Sequence, residues 1–161
     1  MRVIRLTVAV LIMIGGAASI SAQQKPDFTG HWVILGSGKG PAQEQLVTVD
    51  EKTLTTARPD GTRKTIYQLD GVERRMALPS AGTRTAGDIT VLSSAKWDGN
   101  RIVITTTTSY ENGMRTQGKD VWSIDAQGRL VIDYTETGPG APPQISKFVF
   151  TRKGKIAFLR L

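Results

Sequence analysis

The chain has no cysteine and a single histidine, His31. Disulfides, thiolate metal sites and cysteine nucleophiles are therefore excluded, and stability has to come from a packed core. A metal site would need Asp and Glu ligands, and these residues show no metal-loop spacing. A Ser-His-Asp triad would have to use His31, and no Gly-x-Ser-x-Gly elbow is present. Aromatic residues make up only 6% of the chain, and none stack beside the basic residues Arg74, Arg75, Arg84 and Lys96. Nucleic-acid binding is thus not expected, despite a formal charge of +7. No segment repeats apolar residues every 3.6 positions, which argues against long amphipathic helices.

Long hydrophobic runs are equally rare. The one example, Leu6 to Ile14, is broken only by Thr7, follows Arg2 and Arg5, and precedes small residues from Gly15 to Ala22. This is the tripartite pattern of a secretory signal, and the run is too short to span a bilayer. Cleavage is expected after Ala22, leaving residues 23–161 as one domain in the periplasm or beyond, with no transmembrane segment in the mature chain. Lack of cysteine fits a bacterial periplasmic protein better than a small disulfide-stapled scaffold. An outer-membrane barrel is disfavoured because Arg63, Lys64, Arg74 and Arg75 interrupt any continuous lipid-facing surface.

What the chain does have is turns. Asp60-Gly61, Asp70-Gly71, Asp98-Gly99-Asn100, Asn112-Gly113 and Gln127-Gly128 separate short runs rich in Thr, Val, Ile and Arg. Asp-Gly and Asn-Gly suit tight hairpins, so the pattern predicts an antiparallel meander of about ten strands. The predicted strands are 28–35, 45–49, 53–58, 62–69, 72–78, 89–97, 101–110, 114–124, 129–137 and 144–152. Gly36 to Pro41 and Pro79 to Asp88 read as loops. Gly138-Pro139-Gly140-Ala141-Pro142-Pro143 is expected to interrupt the ladder.

Alternation assigns faces. Phe28, Gly30, Trp32 and Ile34 share one side, as do Ile102, Ile104, Thr106 and Thr108. Trp122 and Ile124 sit with Asp120; Leu130, Ile132 and Tyr134 sit with Glu136; Phe148 and Phe150 sit with Arg152. Several apolar faces therefore end in a charged or phenolic group. Such a group ordinarily marks the solvated rim of a strand. The other reading is a set of polar anchors inside a ligand cavity.

Two catalytic-looking motifs fail on context. Ser93-Ser94-Ala95-Lys96 has Ser-x-x-Lys spacing, but in a strand it places serine and lysine on opposite faces. Gly36-Ser37-Gly38-Lys39-Gly40 lacks both the upstream glycine and the Ser/Thr of a phosphate loop, and Pro41 follows where no helix begins.

Phe28-Thr29-Gly30-His31-Trp32 is the most specific local signal. Gly-x-Trp on a first strand, shortly after a signal and before a meander, resembles the signature of lipocalin and calycin barrels. Phe-x-Gly-x-Trp also resembles the opening of fatty-acid-binding proteins, and Lys96-Trp97-Asp98-Gly99-Asn100 is similar to one of their hairpins. The mature chain as a whole resembles small secreted bacterial proteins of unknown function that open on Asp-Phe-x-Gly-x-Trp. The resemblance implies that Gly30 and Trp32 form the barrel floor and that a basic residue of the last strand, here Arg152, packs over the tryptophan. The Arg-x-Tyr carboxylate clamp of fatty-acid binders is missing, since Lys153 and Gly154 follow Arg152, and no helix signal follows the last strand.

These features point to an all-β domain, an antiparallel up-and-down calycin-like barrel of roughly eight to ten strands. The expected role is non-catalytic binding of a small apolar or amphipathic molecule, with Tyr67, Tyr134 or Arg152 fixing its polar end. No catalytic residue, metal or cofactor is assigned. The alternative is a protein or polymer partner, as for an inhibitor of an extracellular enzyme or an envelope-polymer binder, with the 79–88 and 138–143 loops as working surface. A carboxylate-based enzyme would need Asp120 and Glu136 to converge in one pocket.

Overall fold

All five glycine turns bend through the left-handed region, at Gly61 (φ 78°), Gly71 (75°), Gly99 (62°), Gly113 (79°) and Gly128 (74°). Aspartate and asparagine side chains then hold the reversals. Asp50 Oδ1 accepts from the backbone N–H of Lys52 at 2.7 Å and of Thr53 at 2.6 Å, and Asp125 Oδ1 accepts from Gln127 and Arg129, as in other Asx turns. The resulting meander is seen in a computed structural model that describes residues 25–35, 43–77 and 89–154. The expected signal segment and cleavage point, the glycine loop and the 79–88 loop lie outside the described residues.

Ten strands follow in order: β1 (Gly30–Ile34), β2 (Glu44–Val49), β3 (Thr53–Ala57), β4 (Thr65–Gln68), β5 (Arg74–Arg75), β6 (Ile89–Asp98), β7 (Arg101–Tyr110), β8 (Arg115–Ile124), β9 (Leu130–Gly138) and β10 (Ala141–Arg152). They form one antiparallel sheet in the order β4-β3-β2-β1-β10-β9-β8-β7-β6-β5. Every sequence neighbour is also a sheet neighbour except β4 and β5, and the first strand pairs with the last. That is the order of an up-and-down barrel with one open seam. The seam is joined at one point, by the Asp70↔Lys96 bridge and the Gly71 N–H bond to the Ala95 carbonyl at 2.8 Å.

Two strand expectations are corrected. The predicted 72–78 strand shrinks to Arg74–Arg75. Asp70 is the cause, because its carboxylate accepts from the Val72 N–H at 3.0 Å and from both Arg74 guanidinium nitrogens at 2.7 Å, holding 70–73 in a turn. The Gly-Pro run, conversely, does not break the ladder. β9 reaches Gly138 and β10 begins at Ala141, across a turn containing Gly140 (φ 73°). Pro142 and Pro143 are accommodated because the register slips between Ala141 and Gln144, so neither owes a ladder hydrogen bond to β9.

Apolar inward faces converge at one end of the barrel. Trp32, Leu54, Ile102 and Leu130 are fully buried, with Phe28, Val47, Ile104 and Phe150 beside them. Trp32 Nε1–H donates to the Phe28 carbonyl at 2.9 Å, so the residue that plugs this end has no unpaired donor. The Arg152 guanidinium lies 4.7 Å from the Trp32 ring and donates to the Asp27 carbonyl oxygen at 2.6 Å and its carboxylate at 3.1 Å. Outside the wall, Glu44 joins His31 Nε2 at 2.6 Å and Lys153 Nζ at 2.9 Å, tying β1 and β2 to the end of β10. The sole histidine is thus engaged in an ion-paired cluster on the outer surface.

Candidate functional site

Above that floor the barrel has unequal walls. β1 to β4 are 4 to 6 residues long, whereas β6, β7 and β8 have 10 each. The tall wall therefore offers an inner face that rises past the apolar core, and the register reads it in rows. Ile102, Trp122 and Ile132 lie across from one another in the floor, next to Phe148. The next row is Ile104, Asp120, Tyr134 and Ser146, and above it come Thr106, Gly118, Glu136 and Gln144. Apolar gives way to polar at the Asp120 row.

Asp120 stands apart from the other partly buried carboxylates of the described residues. Glu44, Asp125 and Asp133 each have a cationic partner, and Glu136 accepts from the Tyr134 hydroxyl at 2.9 Å. Among the described residues Asp120 has neither. Burial alone pushes its carboxyl pKa up to about 6.

Tyr67 and Tyr134 flank it. Tyr67, opposite Leu54 on β4, is raised above the usual phenol range first by burial and then by the negative charge of Asp120. Tyr134 is pushed up to about 12 by burial, by its bond to Glu136 and by the Glu136 and Asp120 charges. Gly118 leaves room for the Tyr134 ring, since a Cβ there would sit 3.4 Å from Tyr134 Cε2 and 3.5 Å from its hydroxyl. Asp120 and Glu136 also share this face, as diagonal neighbours on β8 and β9.

Two of the three ligand-contact expectations, Tyr67 and Tyr134, are thus brought together around one carboxylate. Arg152 lies elsewhere, at the closed end with Gly30 and Trp32, where its guanidinium is engaged by Asp27 and the indole face. Topology could have separated them from sequence. The end of β10 runs beside the start of β9, so Arg152 belongs with Leu130 rather than with Tyr134. Asp120 was visible as the charged end of an apolar face, but alternation gives the face and not the depth.

Two recesses bear on the site. A cleft of about 260 Å³ opens at the β4–β5 seam and is lined by Tyr67, Arg74, Ser93 and Ala95 among others. Tyr67 lines it, whereas Asp120 and Tyr134 do not. A larger groove of about 600 Å³ lies on the outer wall, where Thr105, Thr107, Gln117, Lys119, Thr135 and Thr137 project. No group of three or more potential metal ligands occurs among the described residues, and no helix there is long and apolar enough to cross a membrane.

No protein-family model and no curated protein sequence matches the chain. Among solved structures, a luciferase domain from the dinoflagellate Lingulodinium polyedrum is similar at a TM-score of 0.48 and 9% identity, over 82% of this chain and 45% of that one. The chain thus spans less than half of the domain it matches, and the likeness carries no functional argument.

Proposed function

We propose that the protein is an exported, non-catalytic binding protein that holds a small amphipathic molecule in its barrel, in the manner of the lipocalins its first strand resembles. The observation that carries this reading is the Asp120 row. A carboxylate left half-buried without a partner opposes folding, and such groups concentrate at functional sites. Phe148 adds the apolar component, because it faces inward beside Ile132 yet is 39% exposed. A ligand lying on Phe148 would bury its apolar part there. Its polar end would reach Asp120 and the hydroxyls of Tyr67 and Tyr134.

Glu136 accepts from the Tyr134 hydroxyl and lies diagonal to Asp120, with no histidine or metal-ligand cluster beside the two among the described residues. Trp122, one inward position below Asp120, supplies a reporter. Titration with the uncharged probe N-phenyl-1-naphthylamine is expected to give one saturable site with energy transfer from tryptophan. Absence of saturable binding, with the interior filled by side chains in a crystal structure, would contradict the reading.

A second reading rests on the outer groove. Its threonine hydroxyls, Gln117 amide and Lys119 ammonium form a hydrogen-bonding strip suited to an acidic envelope polymer. Co-sedimentation with isolated cell-wall polymer, lost in Lys119→Glu, would support it; equal sedimentation of the variant would not.

A further inference from the structure

Resting on the carrier reading, we propose that the molecule held in the barrel carries a cationic head, a protonated amine or quaternary ammonium, which pairs with Asp120. The chain is basic overall, with a formal charge of +7, yet among the described residues the cations in phase with its inner face are exposed or engaged. Arg58, two residues past the inward Thr56, is exposed beyond the end of β3. Arg74, whose register partner is the inward Ser93, gives both terminal nitrogens to Asp70. Arg152 is engaged at the floor. Lys119 and Arg115 fall on the outward positions of β8.

Among the described residues, the neighbours of Asp120 on its own strand, on the paired strands and on β4 are neutral or negative. Ile104 and Tyr134 are its partners on β7 and β9, Gly118 and Trp122 are its inward neighbours on β8, Tyr67 faces it from β4, and Glu136 sits on the diagonal. A carboxylate or phosphate head would be repelled by both acids. A cation would satisfy Asp120 and meet electron-rich aromatic rings.

The tryptophans differ in their cation contacts. Lys25 Nζ lies 4.6 Å from the Trp97 ring centroid and the Arg152 guanidinium lies 4.7 Å from that of Trp32. Trp122, the tryptophan next to Asp120, has no such cation among the described residues. It is only 5% exposed, and its indole Nε1–H meets no acceptor there. Gln45 Nε2 and Trp97 Nε1 are unpartnered in the same way. An indole N–H calls for an acceptor that an ammonium does not carry, so this donor bears on whether the inner wall holds a guest and not on the charge of its head.

The test is a chain-matched series, decylammonium, decanol and decanoate, displacing N-phenyl-1-naphthylamine from the purified protein at pH 8. Decylammonium is expected to bind at least about tenfold more tightly than decanol, as befits a charge-assisted contact, with decanoate weakest. Asp120→Asn should abolish the advantage of decylammonium over decanol, read as the ratio of their affinities within the folded variant. Equal affinities for ammonium and alcohol, or an advantage that survives in a folded Asp120→Asn, would overturn the cationic head and leave the carrier reading standing. Failure of all three to displace the probe would overturn the carrier reading itself. The unmodified protein decides the first question even if the variant does not fold.

Discussion

Asp120 and Arg152 are both charged groups on the inner face, and their surroundings give them opposite effects on stability. The Asp120 carboxyl has a folded-state pKa near 6 against about 3.9 unfolded. The folded state therefore holds more proton than the unfolded chain between these values, and stability falls as pH rises through that window. Above it the penalty is complete, at most about 3 kcal/mol from a shift of this size. Asp120→Asn should flatten urea-unfolding stability between pH 4 and pH 7 and raise it by about 1–3 kcal/mol at pH 8. A variant with unchanged pH dependence would mean the carboxylate is not desolvated. Arg152 works the other way. Arg152→Ala removes the cation over Trp32 and two hydrogen bonds to Asp27, and should lower stability by about 1–3 kcal/mol. Because Arg152 lies at the closed end, probe affinity should not change, and a loss of affinity in a folded variant would place it in the binding site after all.

At the scale of elements, glycines define both the turns and the space around the site. Gly99 sits at φ 62° between β6 and β7 with nothing within 4 Å of a notional Cβ. Gly99→Ala should therefore cost about 1 kcal/mol from backbone strain alone, measured by thermal unfolding; a neutral effect would show that the turn relaxes. Gly118 is the contrasting case, because its conformation is ordinary and its neighbour is Tyr134. Gly118→Val would drive branched methyls into the Tyr134 ring, so the fold should persist by circular dichroism while probe affinity falls. Unchanged affinity would separate Tyr134 from the ligand.

The hairpins were legible because Asp-Gly and Asn-Gly encode a local geometry, and each turn glycine takes the positive φ that the dipeptides imply. The short β5 was not legible. What limits it is the Asp70 carboxylate gripping Arg74 across four residues, a choice that alternation cannot register. The Pro142-Pro143 ladder was missed for a related reason, since a register slip decides whether a proline owes a hydrogen bond.

On the scale of the whole molecule, sequence supplied the meander and the inward direction of Tyr67 and Tyr134, but not the height of each residue in the barrel. Height depends on non-local register and on the difference between the short β1–β4 wall and the tall β6–β10 wall. Only the assembled sheet shows that Asp120 sits where apolar surface ends, and that Arg152 closes the opposite end. The single seam between β4 and β5 is the other global feature, and it opens beside Tyr67. A crystal structure of the protein with decylammonium tests the central claim most directly. The expected result is density for the chain along Phe148, with its nitrogen about 3 Å from the Asp120 carboxylate. Density confined to the outer threonine groove, or an interior closed by side chains with none, would contradict it.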